Sequence, residues 1–246
     1  MTANATTLFS DIQRLFERTY AGVGINLEDC LIDRRRCSQL TQLAGASARE
    51  LSSLARTFLR RVDDQLYVGI YYSSWLIEQL EKHDPRGELG DHNIRSLIAF
   101  VEEINHALHA CLNFQRGERA VESEAFIRNL ELQAQVDSYL VLMLFIAFFR
   151  KTQKLSKTDR RWLRFHLFHR QNPDAYNDPM LVERYRETTE LAEHYTYFLD
   201  TLNGARRLAE LQRFHALDYP AKQAHVLALP APGESVPPAE PPECSE

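Results

Sequence analysis

Residues 102–106 read Glu-Glu-Ile-Asn-His and have the spacing in this sequence that best suits metal chemistry. On a helix, Glu103 and His106 are one turn apart, so their carboxylate and imidazole share a face. Di-iron carboxylate bundles use this Glu-x-x-His spacing on each of two helices. The same pair is also typical of a solvated helix surface, because the apolar stripe of the surrounding residues falls on another side. Alanines in the sector of the pair would let a second helix approach and partly bury both side chains.

A complete di-metal site needs a second Glu-x-x-His and carboxylates from two further helices. The next predicted helix can supply Glu131. The late helix departs from the pattern, because Glu190 stands four residues before His194 instead of three. Two alternatives follow, a protein without a cofactor and a variant site that holds iron or manganese. The ligands of the variant site would be Glu103, His106 and Glu131.

A single carboxylate, Asp137, falls on the apolar side of the predicted central helix. An unpaired charge in a protein core is costly, so this group must be paired, hydrogen-bonded to hydroxyls, or protonated. A structural pairing with an Arg or a Tyr is one interpretation. The other is a binding site with a small-molecule pocket beside the carboxylate, because perturbed acids are common at functional sites.

An aromatic and acidic surface is predicted on one side of a long helix over residues 50–83, opposite its main apolar stripe. Such a surface packs beneath a neighbouring helix or forms an interface, since Tyr and Trp are frequent interface anchors. Its binding residues would be Asp64, Tyr67, Tyr71 and Trp75, with Glu78 beyond them.

The elements that would position these groups are helices, and no strand pattern competes with them. Apolar spacing predicts helices over residues 8–20, 27–43, 50–83, 91–114 and 126–149, and Ser123 can cap the last of them. Later helices are predicted from Ser156, from Asp178 to Gly204, around residues 208–217 and from Pro220. The predicted fold class is all-α, a single irregular bundle of about seven to nine helices around a central buried helix at about residues 126–150.

Composition and charge limit the domains and the partners. The helical domain would span residues 1–228, and proline and acid predict a disordered tail over 229–246. The formal net charge is −5, and a chain without a net basic face is a poor general nucleic-acid binder. The apolar run at residues 139–149 is shorter than the about 20 residues that a membrane helix needs, and the first residues lack a secretory signal. The sequence therefore predicts a cytoplasmic protein with no nucleic-acid partner and no membrane insertion.

Residues 129–139, Asn-Leu-Glu-Leu-Gln-Ala-Gln-Val-Asp-Ser-Tyr, together with Val-Glu-Glu-Ile-Asn-His at 101–106, resemble a group of uncharacterised bacterial helical proteins. Those proteins carry a similar Leu-Glu-Leu-Gln-Ala-Glu-Val-Asp run. The resemblance implies a shared helical architecture and brings no known activity. This sequence departs from the run at Gln135, where the group has Glu, and at Ser138, where it has Lys. Two charges near Asp137 are thereby lost.

Three functions follow from these features. The leading prediction is a non-catalytic helical binding or scaffold protein that uses the aromatic surface for a protein partner or for self-association. It is favoured because the sequence lacks a glycine-rich phosphate loop, a nucleophile elbow and any other complete catalytic constellation. The alternative is a ferritin-like di-metal carboxylate oxidoreductase. The third is the small-molecule pocket at Asp137.

Overall fold

The computed structural model describes residues 3–44, 49–152, 155–170 and 172–231. These residues are mostly helical and include a two-stranded sheet, so the predicted helical class is confirmed in outline and the predicted absence of strands is wrong. The α-helices are α1 (Ala3–Thr19), α2 (Arg34–Leu43), α3 (Ser74–Lys82), α4 (Ile94–Gln115), α5 (Glu124–Phe149), α6 (Lys157–Arg164), α7 (Pro179–Thr201), α8 (Gly204–His215) and α9 (Tyr219–Leu227). The strands are β1 (Ala55–Val62) and β2 (Gln65–Tyr72). Short 3-10 or π turns lie at Leu27–Cys30, Phe165–His169 and Pro173–Ala175.

The predicted long helix over residues 50–83 is wrong, because most of it forms an antiparallel hairpin. β1 and β2 pair as far as Val62 and Gln65, around a turn in which Asp63 has a φ of 54°. β-Branched and aromatic side chains favour strands, and an i, i+4 spacing repeats on one face of a strand as well as on a helix. The predicted helix survives only as α3, which is capped by Ser73 Oγ accepting a hydrogen bond from Leu76 N.

The predicted second helix, over residues 27–43, is split in two. Its first turn ends where Leu31 forms an isolated bridge with Ile70 of β2, and α2 begins after the cap residue Asp33. Gly69 allows this close approach, since a Cβ at that position would lie 3.4 Å from the side chain of Ile32. The connection between the two helical pieces therefore packs on the hairpin.

The helices α4 and α5 position the groups described below. α5 packs against α4 and α7, and α4 also packs against both strands. The predicted start of α5 is confirmed, because Ser123 Oγ accepts a hydrogen bond from Phe126 N at 3.2 Å. The prediction that its apolar end is enclosed is wrong, since Leu144 is 48% exposed and Phe148 is 76% exposed. Residues 132–139, the more polar part of the helix, are buried throughout.

Among the described helices, α5 is long and apolar enough to cross a membrane. Of its most apolar stretch, 67% is buried inside the fold, as is usual for the core helix of a protein that spans no membrane. The predictions of no membrane insertion and of a cytoplasmic location stay predictions. From residue 232 onward, the predicted tail lies outside the described residues.

Candidate functional site

Three side chains that the sequence singled out meet at the interface of α4 and α5. Glu103 and His106 lie one turn apart on α4, and Glu131 approaches from α5. His106 Nδ1 lies 3.6 Å from Glu103 Oε2, and His106 Nε2 lies 3.5 Å from Glu131 Oε2. The three side chains are only 13%, 15% and 16% exposed. The imidazole is therefore held between two carboxylates.

Several polar atoms in this cluster lack a hydrogen-bond partner. Within the described residues, Glu103 Oε2, His106 Nε2 and Gln135 Oε1 are buried and unpartnered. Gln135 lies one turn after Glu131 on α5 and is 3% exposed, and its Nε2 donates to Thr188 Oγ1 at 3.3 Å. Glu103 Oε2 and His106 Nε2 are members of the ion pairs above, which at 3.6 and 3.5 Å are long, so each has a charged neighbour but no close hydrogen bond, and Gln135 Oε1 has no hydrogen-bond partner.

The charges of the cluster perturb one another. Burial is the largest influence on Glu102, and together with the charges of Glu131 and Glu103 it raises the pKa of that carboxyl to about 8, against the effect of His106. Burial opposes a charged His106, but Glu131 and Glu103 outweigh it and raise the pKa of the imidazole well above its ordinary value. Burial also opposes ionisation of Glu131, but His106 lowers its pKa overall. The cluster thus contains a protonated imidazole and three glutamate side chains. Burial and mutual repulsion make it costly for all three carboxyl groups to be ionised at once.

The cluster lines a cavity of about 430 Å³. The cavity follows one face of α4, and the residues that this helix contributes are Arg95, Ile98, Ala99, Glu102, Glu103 and His106. At a rise of about 1.5 Å per residue, Arg95 lies roughly 10 Å along the helix from Glu102. The acidic cluster therefore occupies one end of the cavity only.

The other end of the cavity is basic. It contains Arg95, His166 and Arg170. His166 Nε2 donates to Asp91 Oδ1 at 3.0 Å, and His166 Nδ1 accepts a hydrogen bond from Arg170 Nη1 at 3.2 Å. These two contacts define the tautomer of a neutral His166, and burial lowers the pKa of its imidazole. The imidazole anchors Arg170 at the cavity end that is nearest the start of α4.

The helix α7 faces the acidic cluster with tyrosine instead of a second Glu-x-x-His. Tyr185 OH donates to Glu131 Oε1 at 3.3 Å, and its ring stacks on Tyr176 with the centroids 5.1 Å apart. Of the nearby acids, Glu187 forms an ion pair with an arginine of α5, and Glu190 is exposed. In the part of the chain that the structure describes, no three His, Cys, Asp or Glu side chains are grouped so that they could hold a metal ion, and this includes the predicted set Glu103, His106 and Glu131. The symmetric di-metal arrangement is therefore not formed.

Asp137 belongs to a separate and fully enclosed cluster. Its carboxylate is 2% exposed and accepts hydrogen bonds from Tyr20 OH, from Asn105 Nδ2 at 2.7 Å and from His109 Nε2 at 2.9 Å. Gln133 Nε2 lies 3.2 Å from both carboxylate oxygens. The predicted pairing of Asp137, with a tyrosine among its partners, is confirmed. These partners satisfy the carboxylate from within the protein, and the binding role predicted for Asp137 stays a prediction.

Two residues of the C-terminal helices complete the Asp137 cluster, and neither was anticipated from the sequence. His215 Nδ1 lies 3.0 Å from His109 Nδ1, and Lys222 Nζ donates to Gln133 Oε1 at 2.6 Å. Lys222 is 1% exposed, and burial lowers its pKa to about 7. Burial also lowers the pKa values of His109 and His215. The sequence signal for a buried lysine was its position on the apolar face of α9, one turn after Tyr219.

The predicted aromatic surface is not one face of a helix. Asp64 lies in the hairpin turn, where it pairs with an arginine, and Tyr67 is 54% exposed on β2. Tyr71 is buried and Trp75 is 49% exposed, and both line a groove of about 1660 Å³ between α2, the hairpin and α3. The hairpin is the physical reason, because it places Tyr67 and Tyr71 on a strand, whereas Trp75 lies on α3. The binding role of these four residues stays a prediction.

Comparison with protein-family models, with curated proteins and with solved structures found no match for the chain. The function proposed below is therefore argued from the geometry of the cavity.

Proposed function

We propose that this protein binds one divalent metal ion, manganese or iron, at the acidic end of the cavity. The observation that carries the proposal is the set of buried, unpartnered polar atoms on Glu103, His106 and Gln135, which belong to residues lining one cavity. Glu131 and Glu103 raise the pKa of His106, so the ion-free imidazole carries a proton on each ring nitrogen, and removal of the Nε2 proton leaves a lone pair that faces the Glu131 carboxylate. Two hydrogen-bond acceptors repel each other at this distance unless a cation, either a proton or a metal ion, lies between them.

The separations suit an ion that replaces the proton. Two donors bound to one ion at about 2.1 Å stand about 3.0–3.4 Å apart, in octahedral or tetrahedral geometry. His106 Nε2 and Glu131 Oε2 are 3.5 Å apart, so a small inward shift brings both within reach. Gln135 Oε1 is a further oxygen donor on the same side of α5. Imidazole combined with carboxylate and amide oxygens suits manganese and iron, rather than the softer sites built from thiolates.

Glu103 has a different role in this proposal, because it lies beside the other ring nitrogen. A carboxylate at Nδ1 orients a histidine that binds metal through Nε2 and increases the basicity of its ligating nitrogen. The protein is then a metal-binding helical protein with one ion, which is closer to the non-catalytic alternative than to a di-metal oxidoreductase. The remaining coordination positions are open to water or to a ligand.

The test is a titration of the full chain, stripped with a chelator and then dialysed, with Mn²⁺ followed by electron paramagnetic resonance. Glu131→Gln keeps the shape of the side chain and removes its charge, and we expect it to weaken Mn²⁺ binding by about tenfold or more. Glu190→Gln is the matched control, since this exposed glutamate lies outside the cavity lining. The proposal is refuted if the wild type binds neither Mn²⁺ nor anaerobic Fe²⁺, or if both variants bind Mn²⁺ as the wild type does.

We propose self-association through the groove as a second function, which retains the predicted scaffold role. A large exposed aromatic, Trp75, and the buried Tyr71 line the same groove of about 1660 Å³, and exposed Trp side chains are frequent anchors of interfaces. Sedimentation over a wide range of concentrations should show oligomers that Trp75→Ser weakens. Phe148→Ser, at an exposed aromatic outside the groove and outside the predicted aromatic surface, should leave them intact. A protein that stays monomeric throughout contradicts this proposal.

The arrangement of the helices is proposed to be one irregular bundle around α5 that ends near residue 228. Packing of α5 against α4, α7 and α9 supports this arrangement. One bundle should unfold in one cooperative transition, which calorimetry measures. Two separate transitions would contradict a single domain.

A further inference from the structure

We infer that the cavity holds a small hydroxylated organic anion, a hydroxy acid or a phosphate ester, whose acidic group binds Arg95 and Arg170 at the basic end. The inference rests on the proposed function, because the metal ion neutralises the acidic end that would otherwise repel an anion. The inference names the class of ligand that fills the part of the cavity that the metal ion does not occupy.

The size of the cavity is the first argument. A single ion with a few waters does not need about 430 Å³, whereas cavities of about 300–1,000 Å³ are usual for small organic ligands. The middle of the cavity is lined by small or apolar side chains, among them Ala55, Ile98 and Ala99. They leave room for the carbon skeleton of a ligand between the two polar ends.

The basic end is the second argument. Arg95 is exposed at the cavity, and its guanidinium has no hydrogen bond or ion pair with the residues that the structure describes. Arg170 is oriented by its contact with His166 Nδ1. The nearby carboxylate of Asp91 accepts hydrogen bonds from Trp162 Nε1 and His166 Nε2, so it already has partners of its own. Two guanidinium groups at one end of a cavity suit a carboxylate or a phosphate, which arginine binds through paired N–H groups.

The third argument is a free donor and a free acceptor in the lining. Gln135, 3% exposed, presents the unpartnered acceptor Oε1, and Arg56, 9% exposed, presents the unpartnered donor Nε. The other guanidinium nitrogens of Arg56 are engaged by Thr41 Oγ1 and by the carbonyl oxygens of Leu51 and Ser52. A carbonyl oxygen has two lone pairs, so Gln135 Oε1 can bind the ion with one and accept a hydrogen bond with the other, and a ligand hydroxyl can donate to Gln135 Oε1 and accept from Arg56 Nε.

The experiment is calorimetric titration of the full chain, with and without saturating Mn²⁺. The probes are L-malate, succinate, glycerol 3-phosphate and inorganic phosphate. We expect malate or glycerol 3-phosphate to bind more tightly than succinate or inorganic phosphate, because malate and glycerol 3-phosphate carry an alcohol hydroxyl that the other two probes lack. Tighter binding of malate identifies a carboxylate ligand, and tighter binding of glycerol 3-phosphate identifies a phosphate ester.

The deciding variant is the double change Arg95→Gln and Arg170→Gln, which alters two exposed side chains. It should weaken binding of the preferred anion by about 10- to 100-fold and leave the Mn²⁺ affinity unchanged. Arg18→Gln with Arg206→Gln removes the same charge outside the cavity lining and should change neither. Failure of every probe to bind, or equal anion binding by both double variants, overturns the inference. Failure of Mn²⁺ to bind refutes the proposed function, so the two results are distinguishable.

Discussion

The buried ammonium group of Lys222 should make the stability of this protein depend on pH in an unusual direction. Lys222 is 1% exposed, and its pKa is about 7, below the ordinary 10.5. Burial is the larger cause, against the attraction of Asp137. At 1.36 kcal/mol per pH unit, the difference between these two pKa values corresponds to a free-energy cost of about 5 kcal/mol for keeping the lysine charged in the core. Below pH 7 this cost is fully present, because the lysine is charged in the folded and unfolded states alike.

The sign of the dependence follows from proton binding. Between pH 7 and 10 the unfolded chain binds a proton at Lys222 that the folded protein has largely released, so stability rises with pH. Between pH 7 and 9 this residue contributes a rise of about 2 kcal/mol. Cysteines and tyrosines also titrate in this range, so the useful quantity is the difference between two variants. Lys222→Met keeps the length of the side chain and removes the titrating group.

The assay is urea unfolding followed by circular dichroism at several pH values from 7 to 9. The free energy of unfolding of the wild type, relative to Lys222→Met, should rise by about 2 kcal/mol over this range. The control is Lys82→Met, at an exposed lysine. Its free energy of unfolding should change with pH in the same way as that of the wild type. Parallel curves for the wild type and Lys222→Met would refute the argument, since they would mean that Lys222 releases no proton in the folded protein.

Three further predictions concern the same core and its surface. Asp137→Asn should lower the free energy of unfolding by about 3 kcal/mol in urea unfolding, because it leaves His109 and Tyr20 without their charged acceptor, and an unchanged midpoint would contradict this. Burial lowers the pKa of His215, so the unfolded state gains a proton first as the pH falls through about 6.5, and His215→Leu should lessen the loss of stability between pH 7 and 5. A loss identical to that of the wild type would show that His215 charges freely in the fold. Phe148→Ser, at a side chain 76% exposed, should change the free energy of unfolding by less than about 0.5 kcal/mol, and a larger loss would place Phe148 in a contact that this surface does not show.

Local signals at helix ends predicted much of this fold. Ser123 begins α5 as expected, and Asp178 followed by Pro179 begins α7. These signals work because capping depends on a few adjacent residues. Gly204 was expected to end α7, but that helix ends at Thr201 and Gly204 begins α8 behind the cap Asn203.

The hairpin escaped prediction for a physical reason. Tyr67 and Tyr71 are four residues apart, a separation that keeps two side chains on one side of a strand and close together on a helix. The choice between the two depends on partners, such as the pairing of β2 with β1 and the contact of Leu31 with Ile70. None of this is visible in a short window of sequence.

The candidate site was predictable in part. Glu103 and His106 were recognised because their spacing is local, and Glu131 because it lies on the next predicted helix. Gln135 and Arg95 were not recognised, because they belong to the site only as residues that line the cavity, and the cavity exists only once α4, α5 and the hairpin have packed. The burial of Lys222 had a local signal in its position on the apolar face of α9, but its partner Gln133, 89 residues earlier in the chain, was not predictable from that signal.

The Asp137 cluster also has a consequence for the order in which the protein is made. Tyr20 is synthesised 117 residues before its partner Asp137, and Lys222 comes 89 residues after Gln133. While the residues between Gln133 and Lys222 are being made, α5 thus holds a polar group, Gln133, whose lysine partner does not yet exist. Closure of the core must wait for α9 to leave the ribosome, and a chain that stops before residue 219 lacks the helix that carries Lys222. A copy that stops before α9 therefore differs from the fold described here at its centre, where Gln133 lacks the lysine that the fold supplies.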